Sequence, residues 1–553
     1  KSAGGYLMSD TSSEGIVPKE VFARRASGLV REASFIDAFS FGFLNQGPAV
    51  AIWTLLSWGI WLFPSGHLLN SIWIAVLLAI FGCSLVWGIL GASMPRSGGC
   101  YVYNTRILHP AIGMAVSFAD YFIWWLWGVI LAPWIADPGL TTLFGMLDMP
   151  EAAEWAASPM GMFIIASIVN LLGYLFTFYG LKFYLWHQRT MMILSMITLA
   201  VVGVILGMHT HEEFVQAWNA LAAQYGSLDY EGMINAAKEA DPRVFMPDVP
   251  AIIGTLGLVV VNAWWARYGL DLNVMAGEIK RPQKNIMLAQ ISSVVAPAIF
   301  VLIFALLYPA VVGTDFMYAL SVADNVGLDN YTMPFPPNFM GVTRVFLDIS
   351  NPLGATLAVI AALSFIICDY MYIPLGYVAA SRIAVAWGMD RMGPKWFSEV
   401  SPRWASPVKN LTFFFLASEL GIALYSFGGA TPISSLDCPA TEAISIWGVT
   451  AISGLIFAYR KKVRSIWETS PYRNWKIGPI HILTIAAIID LIYITIIETF
   501  YYTTPELEGI SLEGAIAFLF VWIGGVLWWY YWRWKNKKEG IDIDLAWKEL
   551  PPE

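Results

Sequence analysis

The stretch VNAWWARYGLDLNVMAGEIKRP spans Val261–Pro282. It continues an almost wholly apolar run that begins at Ala251, and it ends in the basic pair Lys280-Arg281. Between them lie Arg267 and Asp271, with Gly269 and Gly277 alongside. A charge at the centre of a bilayer costs about 2.5–3.5 kcal/mol on insertion scales, so it is seldom idle. Backbone inside lipid must hydrogen-bond to itself unless it lines a cavity. A membrane helix interrupted near Arg267, where the backbone borders a cavity, satisfies both constraints.

The rest of the chain supports a membrane setting. Of 553 residues, 57% are hydrophobic and 13% charged, and mean hydropathy is +0.60. Soluble proteins carry roughly 25% charged residues. About 20 apolar residues cross about 30 Å of hydrocarbon. Twelve such runs lie near 35–63, 69–94, 111–145, 161–184, 186–208, 250–278, 287–312, 353–380, 408–427, 441–459, 477–502 and 511–532. No alternating pattern of roughly ten-residue strands occurs, which argues against a barrel. The expected fold class is an all-α polytopic membrane protein with about 12 transmembrane helices.

Charge sets the expected orientation. With the N-terminus inside, alternate loops place all but four of the 32 Lys and Arg residues on the inner side, as cytoplasmic loops require. The exceptions are Lys238, Arg243 and Arg344 outside, and Arg267 within the membrane. The expectation is a multi-pass protein of the cell membrane with both termini cytoplasmic. Residues 1–33 read as a cytoplasmic tail lacking the apolar core of a signal peptide. The segments 209–249 and 313–352 read as long outer loops with short helices of their own. The first carries His209-x-His211, too few ligands for a metal site. The second carries the sequon Asn330-Tyr331-Thr332. Cys83, Cys100, Cys368 and Cys438 form no C-x-x-C pair, and only Cys438 is expected to face outward. The acidic pI of about 5.4 gives no reason to expect nucleic acid.

The first run contains a second interruption, Gly42-Phe-Leu-Asn45-Gln46-Gly47-Pro48. Proline lacks an N–H and glycine weakens a helix. The first and sixth helices are thus both broken, and each opens a block of five. Paired breaks at matching places indicate inverted repeats, with substrate held at the bilayer midplane between the breaks. The expected divisions are 34–208 (first repeat), 250–460 (second repeat), 461–532 (two further helices) and 533–553 (a cytoplasmic tail).

Four motifs then resemble a known family. MPRSGGCYVYNTRILHPAIG (Met94–Gly113) resembles the inner loop after the second helix of permeases of the amino acid–polyamine–organocation (APC) superfamily. AGEIKRPQKNI (Ala276–Ile286) resembles the end of their sixth helix. SRIAVAWGMDRMGPKWFSEVSPRWASPVKN (Ser381–Asn410) resembles the loop after their eighth, and EGIDIDLAWKELPPE (Glu539–Glu553) their C-terminal tail. The resemblance implies two inverted five-helix repeats plus two C-terminal helices, and transport of amino acids, polyamines or related small amines. It also implies that loops carrying Arg96 and Arg382 close the inner exit. The sequence departs from the family in two places. Asn45, Gln46 and Pro48 occupy a break that is usually glycine-rich, whose amides hold an amino acid's carboxylate. Ser195 stands where some proton-coupled relatives carry a lysine.

The candidate substrate-binding residues are therefore Asn45, Gln46, Gly47, Trp264, Trp265, Arg267, Tyr268 and Asp271. Trp264 resembles the family's aromatic gate, and an indole face can also hold an ammonium. Arg267 has two open readings: an i,i+4 pair with Asp271, or a bidentate contact to a substrate carboxylate. The candidate ion-coupling residues are Asp369, Tyr370, Ser195 and Asp120. A carboxylate at Asp369 suits Na⁺ or H⁺, and no other cofactor is expected. Glu419 and Asp490 are weaker candidates, with packing or assembly the expected role of Asp490.

No H-E-x-x-H, G-x-S-x-G or P-loop motif occurs, so an enzyme is not expected. The expectation is a secondary active transporter that moves an amino acid or related small amine by alternating access. The alternatives are a polyamine, organic-cation or carboxylate exchanger and a non-transporting sensor. The expected partners are a small-molecule substrate and membrane lipid. Monomer and homodimer both remain open.

Overall fold

Ser34 starts the first membrane helix. Its hydroxyl accepts from the Asp37 amide while the Asp37 carboxylate accepts from the Ser34 amide, a reciprocal cap that satisfies two orphan donors of the first turn. The computed structural model describes residues 28–437, 440–507, 509, 511–548 and 550. Cys438 and residues 1–27 lie outside that set.

The first helix, α1, is split as the sequence predicts. Its halves, Phe35–Gln46 and 48–62, meet at Gly47. Gly47 has φ +50°, and a Cβ there would meet the Tyr372 hydroxyl at 2.3 Å. Both the turn and the close approach require glycine. Among the described residues, eleven further helices are long and apolar enough to cross a membrane. They are α2 (Leu68–Ser93), α3 (Pro110–Met146), α4 (Pro159–Phe178), α5 (Leu181–Gly207), α6 (Ala251–Glu278) and α7 (Pro282–Val312). The set continues with α8 (Pro352–Met389), α9 (Val408–Gly428), α10 (Ala440–Phe457), α11 (Ile482–Thr503) and α12 (Leu512–Lys538). Each coincides with one apolar run.

α6 is regular to Ala266 and then tightens into 3₁₀ turns from Tyr268 to Glu278. A Cβ on Gly269 would meet the Ser293 hydroxyl at 2.5 Å and the Gln46 amide at 2.7 Å. The break thus lets α1, α6 and α7 approach more closely than side chains would allow. α1 packs on α6 and α7, while α3 packs on α8, α9, α10 and α12. The long loops carry helices of their own: His211–Tyr225, Tyr230–Ala240 and Thr314–Asn325.

The two membrane faces differ in charge. One face, called basic here, carries the loops after α2, α6 and α8, together with the segments before α1 and after α12. Ala33 pairs with Ile279 as a short parallel bridge there, and Arg31 Nε donates to the Gly277 carbonyl at 3.0 Å. On the opposite, acidic face, Trp61 Nε1 donates to Asp241 at 3.0 Å and Arg243 pairs with Glu506 at 2.9 Å. His209 and His211 bond the Ile205 and Val311 carbonyls. No metal-holding cluster of His, Cys, Asp and Glu occurs among the described residues.

Candidate functional site

Three helices converge on a buried cavity. α3 supplies Asp120, Ile123, Trp124 and Trp127, α6 supplies Asp271, and α10 supplies Glu442, Ile446 and Trp447. The α3 residues follow i, i+3, i+4, i+7, so one helix face presents them together. In α10 the backbone winds in wide π turns over Ala440–Gly448, and such turns occur often at functional sites. The 3₁₀ turns of α6 bring Asp271 to the same space.

The cavity is acidic. Asp120, Asp271 and Glu442 are 5%, 9% and 4% exposed, and no cationic side chain lines it among the described residues. Its polar contacts are few. Asn45 Nδ2 donates to Asp271 Oδ2 at 2.7 Å and to the Tyr268 carbonyl at 2.9 Å. The Tyr268 hydroxyl donates to Glu442 Oε2 at 3.4 Å. The Cys100 thiol donates to Asp120 Oδ2 at 3.0 Å. Neither terminal atom of the Gln46 amide has a partner among the described residues. Behind the lining tryptophans lie further rings: Tyr268 stands edge-on to Trp127 at 4.6 Å, and half-buried Trp264 contacts Tyr268, Trp447 and Tyr501. The cavity is tightly closed in this state, with room for about one water.

Arg267 is placed differently from either expectation. It pairs with Asp490 of α11 at 2.6 Å, with both side chains fully buried. Trp447 and Tyr493 flank its guanidinium, the indole at 4.4 Å and the phenol at 5.2 Å. It does not bond Asp271, because an i,i+4 pair needs α geometry and the chain leaves it at Arg267. It also does not line the cavity. Asp490, expected to serve packing or assembly, is its counter-ion.

The other candidates divide. Asn45, Gln46, Gly47, Tyr268 and Asp271 gather at the two breaks. Trp265 does not join them: its Nε1 donates to Asn262 Oδ1 at 2.8 Å, within its own helix. Of the ion-coupling candidates only Asp120 lines the cavity. Ser195 and Cys368 share a contact of 3.0 Å, and the Tyr370 hydroxyl meets His187 Nε2 at 2.9 Å. Asp369 is fully buried, and neither of its oxygens has a partner among the described residues. Glu419 accepts from Ser167 and Asn170.

Sequence reasoning missed Glu442, Trp124, Trp127 and Trp447. The rule that singled out Asp120, a carboxylate inside an apolar run, also applies to Glu442. It is the second residue of its apolar run, 441–459, where a carboxylate also fits the end of a helix.

The basic face is closed beneath the cavity. Arg382 grips Glu278 bidentately, Nε to Oε2 at 2.9 Å and a terminal nitrogen to Oε1 at 2.8 Å. Arg106 pairs with Asp390 at 2.7 Å, and the Gly98 amide donates to the Val274 carbonyl at 2.9 Å. Arg96, expected to help close this exit, bonds the neighbouring Pro95 carbonyl at 3.0 Å. The four motifs that carry the resemblance meet in this gate. Glu278 comes from the second, Arg382 and Asp390 from the third, Arg106 from the first, and Trp547 of the fourth covers Arg106.

The model of the amino acid permease family matches residues 36–507, which include the first three of these motifs. The chain belongs to the amino acid permease family. No curated protein matches it. The permease is thus a multi-pass membrane transporter of amino acids or related compounds, not an enzyme.

Proposed function

We propose that this permease is a secondary active transporter of a small organic amine, seated by its ammonium among Asp120, Asp271 and Glu442. The supporting observation is the charge of the cavity: three buried carboxylates with no lining cation. A buried charge needs a counter-charge. A cationic amine supplies one, and Trp124, Trp127 and Trp447 offer it indole faces.

The two groups that would suit a substrate carboxylate are both engaged. Arg267 is paired with Asp490. The half-helix end at Gly47 lies beneath the Tyr372 hydroxyl, and its proline lacks an amide hydrogen. A carboxylate on the substrate is therefore dispensable, which favours simple amines and polyamines over ordinary α-amino acids.

Alternating access fits the paired breaks. The lysines and arginines of the basic face support a cytoplasmic orientation for it, in the cell membrane. Coupling runs through Asp369. Na⁺ needs several oxygen ligands, whereas a proton needs only one acceptor, so the lone carboxylate favours H⁺. Uptake of labelled amines, amino acids and carboxylates into liposomes tests this reading, with Na⁺ and H⁺ gradients imposed in turn. Amines should accumulate under a proton gradient, and Asp369→Asn should abolish that dependence. Accumulation of carboxylates alone, or an unchanged ion response in Asp369→Asn, would refute it.

A further inference from the structure

The short helix Cys100–Ile107 lies between the cavity and the basic face, and polar contacts hold it at both ends. At its first residue the Cys100 thiol donates to Asp120 in the cavity wall. In its last turn Arg106 donates to Asp390 at the end of α8. Both members of that ion pair are fully buried.

The segment after α12 covers the pair. The Trp547 ring lies over the Arg106 guanidinium at 5.3 Å and edge-on to Tyr101 at 6.5 Å. Ile543, Ala546 and Trp547 are no more than 3% exposed, although they follow a charged stretch outside the membrane helices. Asp544 ties the segment back to α12 through Arg533 at 2.9 Å.

We propose that the short turn Ile543–Trp547 after α12 is a latch on the basic-face gate. Trp547 is a positioning residue that acts on the substrate site through the helix Cys100–Ile107. Opening toward this face requires that helix to part from the end of α8, which breaks Arg106–Asp390. Trp547 keeps water from the ion pair, and charges attract more strongly in a dry, low-dielectric site. Its ring adds a cation–π contact. At the other end, an ammonium on Asp120 competes with the Cys100 thiol for the carboxylate. Substrate arrival and release of Trp547 therefore bias the same rigid element, which is the physical requirement for coupling two sites. This inference rests on reading Asp120 as a substrate carboxylate.

Cys100 is the reporter, being fully buried beneath the gate. The full-length protein in lipid nanodiscs is treated with N-ethylmaleimide, and Cys100 modification is followed by peptide mass spectrometry. Cys83 and Cys368, also buried, serve as internal controls. Trp547→Ala should speed Cys100 modification about 30-fold, the scale of a lost desolvated cation–π contact. The controls should not change, and Trp547→Phe, which keeps a ring, should stay near the wild-type rate. The probe 1,4-diaminobutane should also accelerate Cys100 modification in the wild type but not in Asp120→Asn.

An unchanged Cys100 rate in Trp547→Ala would overturn the latch. A parallel rise at Cys83 and Cys368 would mean general loosening and would overturn it too. If Asp120→Asn keeps full diaminobutane uptake while Trp547→Ala still exposes Cys100, the substrate reading of Asp120 fails and the link to the site fails with it. The latch on the gate would stand.

Discussion

Two groups of buried charge lie close together in this permease, and they are built in opposite ways. Around Arg267 every formal charge is matched: the guanidinium meets Asp490 and lies between two rings. In the neighbouring cavity three carboxylates share hydrogen bonds from neutral groups alone. Trp447 belongs to both, with its ring near Arg267 and its edge in the cavity wall. A neutralised pair holds helices together, and an unmatched acidic group calls for a cation from outside. The charge that drew attention in the sequence, Arg267, is thus held within the protein, and the proposed amine site falls to the acids beside it.

This contrast can be broken at either end. The largest effect should come from Arg267→Met, which strands a buried aspartate at a cost of about 3–5 kcal/mol. Thermal unfolding should fall steeply, and adding Asp490→Leu should restore most of it. If the double variant is no better than the single, the two residues do not act as a pair.

Next come Asp271→Asn and Glu442→Gln. Truncating one partner of a desolvated charge pair costs about 2–5 kcal/mol, so amine uptake should drop roughly 30-fold or more with little change in unfolding temperature. Wild-type uptake in both variants would remove the acidic cavity from the account.

Trp127→Ala should weaken apparent amine affinity by about 0.5–2 kcal/mol, the range of a cation–π contact. A competition curve that does not shift would show that the indole serves packing alone. The smallest effect should be Trp265→Phe. It loses one internal hydrogen bond, worth about 0.5–1.5 kcal/mol of stability, and should leave the concentration dependence of uptake unchanged. A shifted affinity there would place Trp265 in the site after all.

The membrane helices were legible because each needs a long apolar run, and the breaks because Gly47-Pro48 and Arg267–Asp271 violate helical or apolar patterning. The partners of those residues were not legible. Arg267 finds Asp490 more than 200 residues away, and local spacing suggested Asp271 instead. The i,i+4 rule fails where α6 changes to 3₁₀ turns, a change that sequence spacing does not record. Trp124 and Trp127 were hidden by the abundance of tryptophan, 26 in the chain. Glu442 stood too near a run's edge to look buried, and the wide turns of α10 carry it inward. The motifs behind the family resemblance contact one another on the basic face, whereas the cavity takes its lining residues from elsewhere.

The most direct test of the acidic cavity is a matched competition measurement in liposomes. An amino acid and the amine left by removing its carboxyl group would compete for uptake, in the wild type and in Asp271→Asn. The account predicts that the amine competes at least as well as the amino acid, and that both weaken strongly in the variant. An amino acid that competes while its amine does not, with no loss in Asp271→Asn, would contradict it.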